Sequence, residues 1–514
     1  MLTALLASLV FAQVRDGTLD SENIAKAREL GRVQAFEWLE YGPAAFARAK
    51  AEQKVVLVDC AAEWCHWCHV MDETTYRDPE VGAWLAKNAI AVRVDVDARP
   101  DLADRYADWG WPATVLLSGD GEELGKFRGY LPPERMRSIL TTLDRTAVQS
   151  SAELPLATEK DVPAAVKFAL SRLEFFWDAK QGGWGTKRKT PIGMNVTWEL
   201  TRGTKASIAR ADFTLGKQRA LIDPVWGGLS QYSASSDWSE PHFEKLLAYQ
   251  AANLEAWARG YEVTKKPQHL ADARKVFAYV TEFLRAKDGT FFVNQDADLN
   301  AHEPKKAFVD GHTYYALDDA GRRALGIPWI DTHVYAGENG KWLVALAAFA
   351  RVEPKALETA RMAADRLLVT HVGADGAVVR EAGSKAPPML EDAAWLGLGL
   401  ARLAEVTGDA KYRAAAEKIA ERLLVTFHDD ATGALVEHAV DADAVGVFAR
   451  RTHPFGPNVA AARLLGALGK VAEGRRVLGG VSSKERVENE WAWVGDYLQA
   501  ARELAGKNSS EGKR

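Results

Sequence analysis

Three cysteines, Cys60, Cys65 and Cys68, fall within nine residues of one another in a chain that has no others. The run around them, Val56 to His69, reads VLVDCAAEWCHWCH. An apolar stretch ends there and a helical pattern follows. In Cys65-His66-Trp67-Cys68 the first cysteine stands at a helix N-terminus, where the helix dipole and free N–H groups stabilise a thiolate. The second lies one turn on, placed to attack a mixed disulfide formed at the first and release the product. A charged His66 favours the thiolate further, and Trp64 and Trp67 flank the pair. Asp59 precedes Cys65 on the apolar run, where a carboxylate is costly to bury; it reads as a proton acceptor beneath Cys68 or as a solvated strand end. Pro112, in Gly110-Trp111-Pro112-Ala113-Thr114, opens a further strand and reads as a cis-proline facing the cysteines.

The same residues admit other chemistry. Cys65-His66-Trp67-Cys68-His69 fits C-x-x-C-H, the attachment pattern of a c-type haem. The preceding strand, Pro112 and the single copy of the motif favour thiol–disulfide exchange instead. A zinc ion could draw on Cys60, Cys65, Cys68 and His69, but Cys60 points along a strand and a second ligand pair is absent. An inert buried pair is the third alternative, and Cys60 itself reads as a small core residue. The expectation is a dithiol that needs no cofactor and no metal.

The elements that position these residues lie between about Gln34 and Thr146. Val55–Ala62 and Ile90–Asp97 read as buried strands, and Ala113–Gly129 as a hairpin turning at Gly119, Asp120 and Gly121. Glu37–Ala51, Pro79–Lys87 and Pro133–Thr146 read as helices. Counted from the first strand, the order β–α–β–β–β–α is an α/β layer design. Gln149–Ala164 is polar, holds two prolines and lacks a period, as a linker does. Beyond it, three- and four-residue apolar spacing marks helices at Leu246–Tyr261, Gln268–Ala286, Lys341–Arg351, Ala356–Thr370, Leu390–Thr407, Lys411–Phe427 and Glu485–Leu504. The breaks between them share an Asp, then a Gly, then an aromatic or β-prone run. Those glycines, Gly183, Gly228, Gly289, Gly376 and Gly433, are spaced by 45, 61, 87 and 57 residues. The long interval is wide enough to hide a degenerate copy, which gives about six helical hairpins. A closed ring lets each hairpin bury its apolar face against two neighbours, so residues 165–505 are expected to form an all-α (α/α)6 toroid. The expected division is 1–33 as an N-terminal segment, 34–147 as the α/β domain, 148–164 as the linker, 165–505 as the toroid and 506–514 as a disordered tail.

The net charge of −5 (65 basic against 70 acidic residues) gives no reason to expect a nucleic-acid partner. No apolar run reaches the 18 residues of a spanning helix. Met1–Ala12 is apolar and ends in small residues, as a signal peptide does, although it is short and lacks an early Lys or Arg. Export to an oxidising space is the favoured expectation and a cytoplasmic location the alternative.

At the residue level Leu57-Val58-Asp59, Trp64-Cys65 and Cys68 resemble the thioredoxin pattern of a strand ending in Asp before Trp-Cys-x-x-Cys. CHWCHVM (Cys65–Met71) and WGWPATVLL (Trp109–Leu117) are more specifically similar to the spermatogenesis-associated protein 20 / YyaL family. The similarity continues through GGLSQYSASSDWSEPHFEKLL (Gly227–Leu247), NQDADLN (Asn294–Asn300), LEDAAWL (Leu390–Leu396) and GPNVAAARLL (Gly456–Leu465), covering about residues 35–465. The resemblance implies an α/β thioredoxin-like domain followed by a six-hairpin, glycosidase-like toroid. The family's TSWNGL stands here as AGENGKW (Ala336–Trp342), and its Tyr after Glu-Asp is Ala393. Those departures leave any toroid activity of the family open in this chain.

Within the expected toroid, SEPHFEKLL reads as a helix start with Ser239 as cap and Pro241 in the first turn. That puts His242 and Glu244 at the helix mouth. Asp296 and Asp298 follow a short strand, and Glu391 and Asp392 open another helix. With Asp237 and Asn339 these groups form a candidate pocket, since alternate helix ends of a toroid face one opening. Paired carboxylates with a histidine suit acid–base work on a sugar, and Trp226 and Trp238 offer flat faces for its rings. The bland alternatives are dipole complementation at helix starts, loop caps and core tryptophans. Three functions follow: a thiol–disulfide oxidoreductase with protein thiols as partners, a saccharide-acting epimerase or hydrolase with a redox-sensing or docking module, and a non-enzymatic binder or chaperone.

Overall fold

A computed structural model describes residues 17–149, 152–429 and 431–505. The candidate leader Met1–Ala12 and the tail Gly506–Arg514 lie outside the described residues. The chain divides into two compact units, the first made of 1–150, 296–329 and 445–447, the second of the rest.

The first unit begins with α1 (Gly17–Glu29), β1 (Trp38–Glu40), α2 (Pro43–Ala51) and β2 (Val55–Ala61). Then come α3 (His66–Thr74), α4 (Pro79–Asn88), β3 (Ala89–Asp95), α5 (Pro100–Ala103), β4 (Ala113–Leu117), β5 (Glu123–Arg128) and α6 (Pro133–Thr142). The strands form one mixed sheet in the order β1-β3-β2-β4-β5, parallel across β1-β3-β2 and antiparallel across β2-β4-β5. The helix expected over Glu37–Ala51 is thus a strand and a shorter helix. Trp38–Glu40 find ladder partners in Ala91–Arg93, and Pro43 starts α2 because its missing N–H costs nothing at a helix N-terminus.

β2 is central and buried along its length. Side chains alternate across a strand. Val55 and Leu57 enter a core with Met71 and Tyr76 from the α3 region, Val81 and Leu85 of α4, and Met136 and Leu140 of α6. Asp59 is next on that face, while Cys60 takes the other. Each such aliphatic side chain, fully buried, stabilises the fold by roughly 1.5–3 kcal/mol.

The second unit runs α7 (Val162–Phe176), α8 (Gly193–Arg202), α9 (Lys205–Gln218), β6 (Tyr232–Ser233), β7 (Pro241–His242), β8 (Lys245–Leu246), α10 (Leu247–Thr264), α11 (Pro267–Phe283) and β9 (Asn294–Gln295). The chain then passes through the first unit's segment, with α12 (Gly311–Tyr315) and α13 (Asp319–Leu325), and returns at β10 (Ile330–Asp331). It finishes with α14 (Ala336–Ala350), α15 (Ala356–Thr370), α16 (Leu390–Thr407), α17 (Ala410–Thr426), α18 (Phe455–Ala467), α19 (Val471–Gly480), α20 (Lys484–Asn489) and α21 (Gly495–Ala505). Contacts run α8–α10–α14–α16–α18–α21 and back to α8, so six inner helices close a ring. α9, α11, α15, α17 and α19 pack outside their partners and α7 packs on α21, completing an (α/α)6 toroid.

The long 87-residue interval hides no sixth hairpin. It contains the 34 residues Asp296–Trp329, and 87 − 34 leaves 53, inside the range of the other intervals. The sixth inner helix is α21, closed by α7 from the start of the unit. The single helix expected over Glu485–Leu504 is divided into α20 and α21, with Trp491 at φ +54° between them.

The recurring glycines have a common cause. A Cβ on Gly228 would lie 2.5 Å from the ring of Tyr279 on α11, and one on Gly376 would lie 2.4 Å from the Lys418 carbonyl on α17. Each turn is pressed against the next outer helix, and both glycines have positive φ. A side-chain amide then clasps the residue one or two positions after the glycine. Gln250 holds Leu229 N–H and C=O, Asn339 holds those of Phe291, and Asn458 those of Leu435.

Candidate functional site

Cys65 is the N-cap of α3, and its sulfur accepts the Cys68 N–H at 3.2 Å. The two cysteines are joined by a disulfide with their Cα atoms 5.2 Å apart. Both are 4% exposed. Cys60 is a free, fully buried thiol, pushed up by burial and by Asp59, which suits a core residue. Trp64 Nε1 donates to Asp97 Oδ2 at 2.6 Å, and the Trp67 ring stacks on Tyr130. The Trp111–Pro112 bond is cis.

Asp59 is 1% exposed. Its Oδ1 accepts the Tyr76 hydroxyl at 3.0 Å, and Oδ2 accepts Arg93 Nη2 at 2.9 Å and Nε at 3.2 Å. Burial pushes the carboxyl up to about 6, against the pull of the Arg93 guanidinium. Arg93 also binds Asp72.

A second group of charges belongs to the same unit. His66 Nδ1 and Asp298 Oδ2 are 2.6 Å apart, with the carboxylate accepting. His69 Nε2 lies 3.0 Å from the Glu63 carbonyl and 3.5 Å from Asp296 Oδ2. His302 Nε2 lies 3.1 Å from the same Asp296 oxygen. Asp296 Oδ1 accepts the Asp298 N–H, and Asp298 Oδ1 accepts the Gly311 N–H, both at 2.9 Å. Burial opposes charge on His69, but the Asp296 and Asp298 carboxylates outweigh it and raise the imidazole to about 10. Burial raises Asp296. For Asp298 burial pushes upward as well, but His66 beside it wins and holds the carboxyl well below the usual range. Arg28 of α1 clamps this segment: it pairs with Glu73 of α3 at 3.0 Å and donates to the carbonyls of Ala301 at 3.2 Å and Lys306 at 3.0 Å.

Asp296 and Asp298, expected in a toroid pocket, therefore stand in the thioredoxin-like unit beside the dithiol helix. The excursion of the chain after β9 carries them there, and local pattern does not reveal it. His302 was missed in the sequence for the same reason. His69 was visible as a metal-ligand alternative, but with the wrong companions.

The toroid has a cavity of about 330 Å³. Tyr249, Trp395, Trp493 and Phe455 supply aromatic walls, and Glu255, Lys341, Glu391, Arg463 and Asp496 line it as well. Lys341 Nζ reaches Glu391 Oε1 at 2.7 Å and Glu338 at 3.2 Å, and Arg463 reaches Asp496 at 2.5 Å. Burial raises Glu255 and Asp496. Burial also pushes Glu391 upward, but Lys341 and Arg380 outweigh it and hold the carboxyl low.

Of the expected pocket residues only Glu391 lines this cavity. Asp392 is spent on Gly337 N–H at 2.8 Å and Arg380 at 3.1 Å, and Asn339 on its backbone clasp. Asp237 caps a local turn through Ser235 and Ser239, whose hydroxyls lead in holding it down to about 2. His242 and Glu244 do not open a helix. Pro241–His242 pair with Tyr232–Ser233 and Lys245–Leu246 with Asn294–Gln295, so backbone bonding goes to strands and α10 starts only at Leu247. His242 stacks on Tyr232 with ring centres 4.1 Å apart, and Glu244 is buried. Trp226 packs on Phe283, and Trp238 is core, with Nε1 on the Gln181 carbonyl. Glu255, Lys341, Arg463 and Asp496 escaped the sequence reading; a charged residue on an otherwise apolar inner-helix stripe is the signal they offered. Among the described residues no helix is long and apolar enough to cross a membrane.

The chain is similar in part to several known proteins. Residues 30–155 match a family model described as "Protein of unknown function, DUF255". Mouse spermatogenesis-associated protein 20 is 28% identical over 309 residues, 51% of this chain and 39% of that protein. The chain thus matches about two fifths of the length of that relative. Thioredoxin H-type from Oryza sativa is 31% identical over 129 residues, 24% of this chain and 99% of that protein. Among solved structures, cellobiose 2-epimerase from Bacillus thermoamylovorans is similar over 68% of this chain and 86% of that one, at 12% identity and a TM-score of 0.45. The chain is thus similar to spermatogenesis-associated protein 20 over about half of its own length, and it joins a thioredoxin-like domain, matched by the DUF255 model, to an (α/α)6 toroid.

Proposed function

We propose that the chain is a thiol–disulfide oxidoreductase acting through Cys65 and Cys68 on thiols or disulfides of a protein partner. The observation that carries this reading is the placement of Cys65 as the cap of α3 with its sulfur on the Cys68 N–H. That donor and the helix dipole stabilise a thiolate at Cys65 in the reduced state. In the reducing direction the Cys65 thiolate attacks one sulfur of a substrate disulfide, forming a mixed disulfide and releasing the other sulfur as a thiolate. Cys68, deprotonated, attacks Cys65, forms the intramolecular disulfide and frees the second substrate thiol. Two electrons pass to the substrate, and the Cys68 proton goes to a base. Asp59, on the β2 face that packs under α3, is the proposed base. Pro112 takes the substrate-facing role by resemblance to the family. The oxidising direction is the reverse.

The test is alkylation with mass-spectrometric readout after equilibration in glutathione buffers of graded potential. A reversible two-electron transition confined to the Cys65–Cys68 peptide is expected, with Cys65 labelling fastest near neutral pH. Equal, slow labelling of both thiols and no disulfide at any buffer ratio would sink the proposal.

A saccharide-acting toroid is the second reading, favoured by the aromatic walls and the Glu255 and Glu391 carboxyls of the cavity. A sugar panel with product analysis tests it. Turnover lost in Glu255→Gln supports it, and silence on every sugar, or turnover indifferent to that change, refutes it.

A further inference from the structure

We propose that His69, Asp296 and His302 form a binding site for a divalent transition-metal ion of the zinc class. The candidate ligand atoms all lie within 4.8 Å of one another. Asp296 Oδ2 stands 3.5 Å from His69 Nε2 and 3.1 Å from His302 Nε2. Two ligands held at about 2.0–2.1 Å in tetrahedral geometry are roughly 3.3–3.4 Å apart, so both Asp296–histidine spacings are near that of one shared ion.

The surroundings have the form of a metal site's outer layer. A ligating histidine turns its second ring nitrogen to a carboxylate, which sets its orientation and basicity. His302 Nδ1 is 3.2 Å from Glu63 Oε2. His69 Nδ1 is 3.8 Å from Asp298 Oδ2, and this buried nitrogen has no hydrogen bond. Asp296 is fixed by the Asp298 N–H on its other oxygen. In the metal-free state His69 Nε2 donates to the Glu63 carbonyl at 3.0 Å, and an ion bound there displaces that proton. Two imidazoles and one carboxylate, with no thiolate among them, suit a borderline cation such as zinc rather than a soft one. His302 is exposed and gives an ion a way in. Asn300, at φ +62°, turns the loop that brings His302 back toward Asp296.

The experiment is zinc titration calorimetry on the chelator-stripped full chain, with metal content after dialysis and cobalt absorption as second readouts. One ion per chain is expected. Removal of a ligand in His302→Ala or Asp296→Asn is expected to weaken binding by about 100-fold or more, and loss of the outer carboxylate in Glu63→Gln by about 10-fold. His302 and Glu63 are both accessible at the surface, so these variants retain the fold, which circular dichroism checks. The Cys65→Ser, Cys68→Ser double variant is expected to bind zinc as the parent does. No binding by the parent would overturn the proposal and leave the group a hydrogen-bonded His–Asp network. So would affinity unchanged in both His302→Ala and Glu63→Gln, or binding lost in the double-cysteine variant.

Discussion

Asp59→Asn should make the first unit more stable at pH 8 and less stable at pH 4. Burial raises the Asp59 carboxyl from 3.8 to about 6, so the ionised form is penalised by roughly 3 kcal/mol at about 1.36 kcal/mol per unit. The sign follows from linkage. A carboxyl whose folded value lies above its unfolded one binds more protons in the folded state between the two values, so wild-type stability falls as pH rises from about 4 to about 6 and is flat beyond. Asparagine carries no such penalty. It loses charge-assisted bonds from Arg93, worth about 1.5–3 kcal/mol, although Arg93 keeps Asp72 as a partner and Tyr76 can still donate to the amide oxygen. The variant should therefore gain about 1 kcal/mol at pH 8 and lose about 2 kcal/mol at pH 4. The swing of about 3 kcal/mol between the two conditions is the diagnostic quantity, because the constant bond loss cancels from it. Hydrogen exchange of β2 and β3 amides, corrected for intrinsic rates, reads the opening of this unit without requiring the whole chain to unfold in one step. A variant-minus-wild-type difference that stays flat from pH 4 to pH 8, or that falls as pH rises, would refute the burial argument.

Asn458→Ala strips the clasp from both backbone groups of Leu435 and should cost about 2–4 kcal/mol, read as a lowered unfolding midpoint of the toroid. A loss under 0.5 kcal/mol would show the clasp to be dispensable. Gly340→Ala places a methyl 2.4 Å from the Leu396 nitrogen, where α14 meets α16; a cost of about 2–3 kcal/mol is expected, and a neutral result by thermal melting would contradict the close approach. Arg28→Ala should speed exchange across residues 300–307 by about tenfold, since its bonds to Glu73, Ala301 and Lys306 go with it. Unchanged protection there would refute the clamp.

Local chemistry can be read from the amino-acid order alone. Cys65 as a helix cap with Cys68 one turn on, Asp59 on a buried strand and the hairpin after Pro112 each follow from neighbours a few residues away, where propensity, capping and alternation act. The toroid was also legible, because five of its six hairpins repeat the same need: a glycine where the turn meets an outer helix, then an apolar stripe. The tertiary structure decided which distant residues meet. Asp296, Asp298 and His302 sit in the toroid's stretch of sequence, yet they fold against α3 because the chain leaves the ring between β9 and β10. Asn339 looks like a polar pocket residue until its two bonds to Phe291 are seen. His242 and Glu244 carry a helix-start signature, but strand partners far along the chain claim their backbone first. The physical reason is the same in each case. A side chain's chemistry is set by its own atoms, while its partner is set by a closure of the chain whose energy comes from burial elsewhere.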